Sequence, residues 1–512
     1  MEDSGGGAPD GGDPSSEPHR GGERPEVIVI SEHGDVVLDA TFQNSKDTIR
    51  SARKAAAAQA QPRHLNRGEP QPQPPPPRAR VRLAFRVDLA VLKRQSKYFD
   101  KLLGDAHFKE ANDISDAFAA LSMKGVQPRD ADARELPWIR IHDDDGATSY
   151  AYREMAFADL LRILHGLGAK TSQAQITMSF VTTLAVLADR FDCAAAVSKY
   201  VAAGLKFKWP MTSRKPLRDE TAGFSGMTRA NENVLRQKIL VSWLLNQPAR
   251  FQAATKELIM NGSCQWSSFG EQDDETTSAT WWYLQDGLEQ ELQYRRNSLL
   301  NALASVPRHF LALHTSSARG RQCKLGYDSS VACDSYQLGE MFKFLTNKGL
   351  LFLVDFSPGS LDAVADTALL PVDHVIAALR QCPAYQIDKN HTNCGLRTRM
   401  LPILDFLQGL LSANAIPVSR AAWKDQRAAH AWMPAAGEGG VVAGNVGVNG
   451  GEEDERPFRF TRSLAGDQRF RFENTMGADQ LARDVFTASS WDWTAEDQGV
   501  DHTSTTPKWS FR

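Results

Sequence analysis

Three cysteines and a histidine in the second half of the chain are the residues whose types and spacing could do chemistry. Cys323 and Cys333 stand close together, and a later segment supplies His391 and Cys394 in the run His391-Thr392-Asn393-Cys394. Thiolate sulfur and imidazole nitrogen are the ligands of a structural zinc ion, and four that converge close its tetrahedral shell. Cys382 lies between the two groups and is a substitute ligand. The spacing is not that of a paired Cys-x-x-Cys ribbon, and a free cysteine is also at home as a small buried residue. Two alternatives therefore stand side by side: a structural zinc at Cys323, Cys333, His391 and Cys394, or cysteines in a helical core with no cofactor. Other chemistry has no local signature. No P-loop, G-x-S-x-G elbow, H-E-x-x-H or G-x-G-x-x-G occurs, so a protein without enzymatic activity is expected.

The 512 residues suffice for roughly two to four domains with sizeable cores. A net charge of −3 implies no general attraction to nucleic acid or to an anionic membrane. Residues 1–25 are rich in Gly, Pro, Asp and Glu, which reads as a disordered tail and not as a secretory signal. No apolar stretch reaches spanning length, and six irregularly spaced cysteines do not make a disulfide framework. The expected setting is intracellular, in cytoplasm or nucleus.

The elements that must position these groups follow from periodicity. Val27–Ile30 and Val36–Phe42 read as strands around the turn Ser31–Asp35, where Gly34 supplies backbone freedom. A Pro-rich insertion over 43–80 holds an Ala-rich helix at Asp47–Gln59 and the run Gln71–Pro77, which favours polyproline II. That run is read as a spacer, with a ligand for proline-reading domains as the alternative. Val81–Leu103 organises what surrounds it. Val81, Leu83 and Phe85 alternate as in a strand, and Leu89, Leu92, Ser96, Phe99 and Leu103 mark one face of a single helix. A second insertion over 111–135 separates this from a strand at Leu136–Ile141, closed by an acidic turn at His142–Gly146. Adjacent side chains on extended chain point to opposite sides, so His142, Asp143, Asp144 and Asp145 read as a solvated turn and not as a metal loop. Helices through Phe157–Leu164 and Ile176–Phe191 complete an α+β domain over 26–209.

The segments GDVVL (Gly34–Leu38), FRVDLAVLKRQSKYFDKLL (Phe85–Leu103), FKEA (Phe108–Ala111), FADLLRILHG (Phe157–Gly166) and LAVLADRFDC (Leu184–Cys193) occur in the order found in BTB/POZ domains. Residues 25–209 resemble that family, and most of all the BTB domains of large filamentous-fungal proteins. The resemblance implies a small sheet flanked by helices, self-association and no catalysis. It also implies a role for Phe108 and Glu110. BTB domains that recruit a cullin scaffold carry a hydrophobic–x–Glu motif there, an apolar anchor with a carboxylate to orient the partner. The alternative is that Phe108 caps the domain's own core while Glu110 is solvated. The chain departs from the family's transcription regulators by carrying Asp88-Leu89 where they have His-Lys or His-Arg. A corepressor pocket formed with Asp35 would lack its basic residue.

A mostly helical domain is expected over 210–435. One helix face runs Val234–Leu244, a loop covers Gly262–Thr280, and Trp281–Leu313 reads as two helices parted at Pro307. A helix through Leu338–Leu345 stops at Gly349 before a buried strand at Leu350–Val354. Pro371 opens another helix, and Met400–Leu411 makes one more. No repeat period emerges. After a linker at 436–456, a small β element over 457–494 is expected as a hairpin of Phe458–Phe460 with Phe470–Phe472, then a short helix through Leu481, Val485 and Phe486. Trp491 and Trp493 anchor its end, and 495–512 form a loose tail. Rings packed inward, with Arg459, Arg469 and Arg471 in water, are preferred over arginines that stack with aromatics on single-stranded nucleic acid. The leading expectation is a scaffold that binds protein partners, forms a homo-oligomer through its BTB domain, and serves as substrate adaptor for a cullin-type ubiquitin ligase. The competing class is a nuclear, transcription-linked regulator whose C-terminal region binds nucleic acid.

Overall fold

The computed structural model describes residues 25–60, 76–172, 175–205, 207–212, 227–267, 279–316, 321–323, 325–354, 367–392, 394–434, 457–472 and 475–494. Most of the Pro-rich run, the 436–456 linker and both termini lie outside these. The chain divides into two compact units. The first takes in residues up to Asp145, Ser149–Thr171 and Leu187–Tyr200, and the second takes in the rest.

In the first unit, β1 (Val27–Val29), β2 (Val36–Gln43), α1 (Lys46–Ala60) and β3 (Arg80–Val87) are followed by α2 (Leu89–Gln95), α3 (Lys97–Gly104) and α4 (Lys109–Met123). Then come β4 (Trp138–Asp144) and α5 (Arg153–Leu164); the division between the units falls within α6 (Met178–Arg190), of which the first unit holds the part from Leu187, and within α7 (Ala194–Ala203), of which it holds the part up to Tyr200. The sheet order is β1-β3-β2-β4: β2 runs antiparallel to β3, while β1 and β4 are parallel to their neighbours. The first two strands are therefore not paired, because β3 inserts between them. Gly34 is required by a close approach and not by a left-handed turn: a Cβ there would lie 2.8 Å from the Val87 carbonyl oxygen.

The expected single helix Leu89–Leu103 is broken. Ser96 adopts extended backbone angles and ends α2, and its Oγ accepts the Phe99 amide at 3.1 Å, which caps α3. The same hydroxyl donates to the Phe191 carbonyl at 2.5 Å. Leu92, Ser96, Phe99 and Leu103 are nonetheless all buried, so the helical spacing identified the inner face while the cap decided the break. Phe157 meets Phe42, Phe85 and Phe191 with centroids 5.5–5.8 Å apart, and Phe99 stacks on Phe191 at 5.2 Å. These rings join β2, β3, α3 and α5 in one core. Ser96→Ala removes the cap and leaves a buried carbonyl without its donor, so it should cost about 2 kcal/mol in urea unfolding.

The second insertion takes in most of α4, whose Leu121 packs with Val37, Ala84, Ala131 and Leu136. The acidic turn also differs from expectation, since β4 continues through Asp144. Asp143 is buried between Arg153 (2.6 Å) and Arg190, and Arg153 also reaches the Asn44 side chain at 2.8 Å and the Gln43 carbonyl at 2.6 Å. A carboxylate taken out of water needs such partners to offset its lost hydration.

The second unit is helical: α8 (Arg229–Leu244), α9 (Pro248–Asn261), α10 (Leu288–Thr315), α11 (Ser330–Asn347), α12 (Val372–Arg380), α13 (Leu396–Leu410), α14 (Arg420–Asp425) and α15 (Arg427–His430). It ends with β5 (Pro457–Arg459), α16 (Arg462–Gly466), α17 (Ala478–Phe486) and β6 (Ser490–Asp492). Helix α10 is central and runs unbroken for 28 residues through Pro307, with no separation into two. An interior proline costs about 3 kcal/mol, whereas burying Leu303, Val306, Phe310 and Leu311 on both sides of it is worth about 1.5–3 kcal/mol each. Packing wins. Leu350–Val354 is also not a strand: Gly349, at φ 64°, ends α11, and Leu351–Val354 forms a tight 3-10 turn. A four- or five-residue apolar run carries no period that distinguishes the two.

The hairpin is replaced by a longer-range pair. β5 runs parallel to β6, with Phe458 opposite Trp491, and Gln468–Arg471 is a 3-10 turn. Phe458, Phe460 and Phe470 gather around Phe406, while Phe472 is exposed. Trp493 is buried and donates from Nε1 to Ser305 Oγ at 2.7 Å, which fastens this segment to α10. No helix among the described residues is long and apolar enough to cross a membrane.

Candidate metal centre

Two chain segments of the second unit meet at the start of α11. One is the turn at Cys323 together with the first turn of α11, which carries Ser330 and Cys333. The other is the bend at Asp388–Cys394 that leads into α13. The Sγ atoms of Cys323, Cys333 and Cys394 and one ring nitrogen of His391 all lie within 4.8 Å of one another. Cys323 and Cys394, 71 positions apart, approach to 3.8 Å between sulfurs. Two sulfurs at about 2.3 Å from a tetrahedral ion would be separated by about 3.8 Å, so this edge already has the spacing of a filled site. Cys382 is not part of the cluster. It is buried elsewhere and its thiol contacts the Pro383 carbonyl, while Arg397 holds the Cys382 backbone.

Hydrogen bonds orient the donors. Asp334 accepts the backbone amides of Gln322 and Cys323 at 2.7 and 2.9 Å, which fixes the turn bearing Cys323. His391 Nδ1 lies 2.8 Å from Asp388 Oδ1, and Asp388 Oδ2 accepts from Ser329 Oγ at 2.5 Å. A carboxylate on Nδ1 assigns the proton to that nitrogen and leaves the Nε2 lone pair for the thiols, the arrangement usual for a metal-bound imidazole. Gly395 permits the close passage of α13's start over the Tyr385 backbone, where a Cβ would sit 3.1 Å from the carbonyl oxygen.

The electrostatics describe a site short of positive charge. Burial alone would raise the Cys323 thiol, but hydrogen bonds from the Leu325 amide, Ser330, Cys394 and Cys333 outweigh it and bring the thiol down to about 7. Burial, and then the neighbouring charges of Cys323 and Cys394, push Cys333 up to about 12, and burial followed by Cys323 raises Cys394. Asp388, bonded by Ser329, His391 and the Asn390 amide, falls to about 2, and its bond to His391 raises the imidazole. One thiolate therefore suppresses the others, as like charges must at this separation. A bound divalent cation reverses that order and lets all three thiols ionise. The donor set fits a metal ion with a closed shell of protein ligands.

Ser330 Oγ, His391 Nε2 and Asp388 also line up in the order nucleophile, base and orienting acid, with Ser330 3.2 Å from the ring. Ser330 and His391 are both 0% exposed, and Ser330 Oγ already accepts the Tyr327 amide at 3.1 Å.

Sequence reasoning nominated the four clustered residues and missed Asp388, Ser329 and Asp334. The only local trace of these was Asp388 three positions before His391, a spacing too common to single out. Asp388→Ala frees the imidazole to rotate and should weaken metal binding by about 10–100-fold, as measured against a competing chromophoric chelator.

The other residues expected to matter lie in the first unit. Phe108 is the N-cap residue of α4 and is 41% exposed; Glu110 stands half-buried in the first turn of that helix. Leu89 donates its amide to Asp35 at 2.8 Å, so Asp35 is engaged by backbone where a basic side chain is lacking. No protein-family model, no curated protein and no solved structure matches the chain.

Proposed function

We propose that this protein is a non-enzymatic interaction scaffold: its first unit is a BTB/POZ-type domain that self-associates, and its second unit is stabilised by a structural zinc held by Cys323, Cys333, His391 and Cys394. The observation that carries the first part is the sheet topology with its helix order. An antiparallel β2/β3 pair leads directly into two capped helices, and a parallel β4 then returns beside β2 and is followed by α5. A small sheet flanked by helices is what the resemblance implies, and this order of elements supports that reading. The zinc rests on the convergence of three thiols and one imidazole, a donor set that leaves no open position for a substrate. The competing nucleic-acid reading needed an arginine-faced hairpin, which does not form; Arg469 instead pairs with Asp467 at 2.7 Å.

Phe108 suits a docking role because it offers an exposed ring beside a helix start, with Glu110 in the first turn of that helix. A cullin-type scaffold is the partner proposed for it. The combined change Phe108→Ala and Glu110→Ala should weaken capture of a cullin by more than ~2 kcal/mol, about 30-fold, without altering the secondary structure. Unchanged capture would remove that specialisation and leave the scaffold. Light scattering of the full chain should give a dimer mass at micromolar concentration, and a strict monomer there rejects self-association. Metal analysis should find about one zinc per chain, and less than about a tenth of an equivalent dismisses the centre.

A further inference from the structure

We propose that Cys323 and Cys394 are an oxidisable pair, converted by a peroxide to a disulfide that expels the metal. The proposal rests on the zinc reading above and adds a chemical modification to it. Of the four ligands, Cys323, Cys333 and His391 are buried and Cys394 alone is partly exposed, so an oxidant in solution meets Cys394 first. Its sulfur lies 3.8 Å from that of Cys323, against about 2.05 Å in a disulfide. Closing that gap moves two turns and no helix interior. Cys323 precedes α11, and Cys394 immediately precedes the cap of α13. Cys333 differs: it is 1% exposed and held within the first turns of α11, so it is the poorer partner.

The chemistry balances with a peroxide as the only co-reactant. The Cys394 thiolate attacks one peroxide oxygen, the O–O bond breaks, and the departing hydroxide takes a proton from solvent to become water. The resulting sulfenic acid is then attacked at sulfur by the Cys323 thiolate. An S–S bond forms, the S–O bond breaks, and a second hydroxide leaves and is protonated. Two electrons pass from the sulfurs to the peroxide. The metal keeps only Cys333 and His391, too few to hold a closed shell, and leaves as the dication. The two loops stay joined through the disulfide, while the start of α11 loses its tie through Cys333. A dithiol reductant plus zinc reverses the change.

The test uses the full-length zinc-loaded protein and hydrogen peroxide, with a zinc-sensing chromophore and mass spectrometry of non-reduced peptides. Release of about one zinc per chain, together with a Cys323–Cys394 linked peptide, is expected. Dithiothreitol with added zinc should restore the bound metal. The triple variant Cys193→Ser, Cys264→Ser, Cys382→Ser, which spares every ligand, should respond like the parent. A chain that holds zinc yet keeps it under peroxide, or links Cys333 or Cys382 instead, overturns the proposal and leaves the zinc reading standing. A chain that neither carries zinc nor takes it up overturns both.

Discussion

Cys333→Ala should yield a chain that binds no metal and whose second unit melts well below that of the parent. The thiol sits inside the first turns of α11 and is the one ligand that no loop movement can replace. Metal bound a thousandfold above its dissociation constant supplies about 4 kcal/mol, so the variant and the chelator-treated parent should lose about that much alike. The measurement is thermal or urea unfolding with zinc and with chelator. The parent should respond to chelator and the variant should not. Cys382→Ala is the contrast: it empties a comparable buried volume outside the cluster, so it should cost about 1 kcal/mol and leave the chelator response intact. If Cys382→Ala abolishes metal binding and Cys333→Ala does not, the ligand set is wrong.

Arg236→Met should destabilise the second unit by about 3–5 kcal/mol through loss of a buried charge network. Arg236 is fully buried in α8, where Nε donates to Glu232 at 2.7 Å and the two Nη groups reach Glu289 at 2.8 Å. Glu232 also accepts the Cys264 amide at 2.7 Å and the Ser263 hydroxyl, while Glu289 takes Trp266 Nε1 at 2.6 Å. The guanidinium lies over the Trp282 ring at 5.2 Å. One cation thus satisfies two carboxylates that tie the start of α8 to the start of α10. Burial depresses the guanidinium's proton affinity, but the bonds to Glu289 and Glu232 outweigh it and raise the pKa. Methionine fills the volume and strands both acids, so the loss comes from uncompensated charge and not from a cavity. Adding Glu232→Gln and Glu289→Gln should restore part of it. The readout is the urea midpoint, and a smaller shift in the triple variant than in the single one identifies charge as the cause.

A second clasp of the same kind uses Arg295, which pairs with Glu291 at 2.7 Å, stacks on Trp432, and donates to the carbonyls of Ala415, Pro417 and His430. None of these arginines stands out in the sequence. Arg236 has Glu232 four positions before it, and Arg295 has Glu291 likewise, a spacing that on most helices marks an exposed pair. Burial turned both into internal joints, and burial is set by what other segments cover. Pro307 shows the reverse failure: a residue that ordinarily breaks a helix lies within α10 because the apolar residues around it pack into one core.

Where the periodicity is long, the local reading corresponds closely to the structure. The inward residues of Leu89–Leu103, the helices through Phe157 and Val485, and the stop at Gly349 follow from residue type and spacing, since propensity, caps and amphipathic faces are properties of neighbours in the chain. Short apolar or aromatic runs behaved otherwise. Leu350–Val354 and Phe470–Phe472 have no period of their own; the first run lies against α10 and α11, and Phe470 of the second against Phe406 of α13. The candidate metal centre combines both cases. Residue chemistry alone nominated Cys323, Cys333, His391 and Cys394. Only the tertiary fold brought Cys394 to 3.8 Å from Cys323, left Cys382 outside, and supplied Asp388 and Asp334 as partners. A sequence records which groups can bind and which faces shun water. Which of them meet depends on how helices far apart in the chain bury those faces against each other.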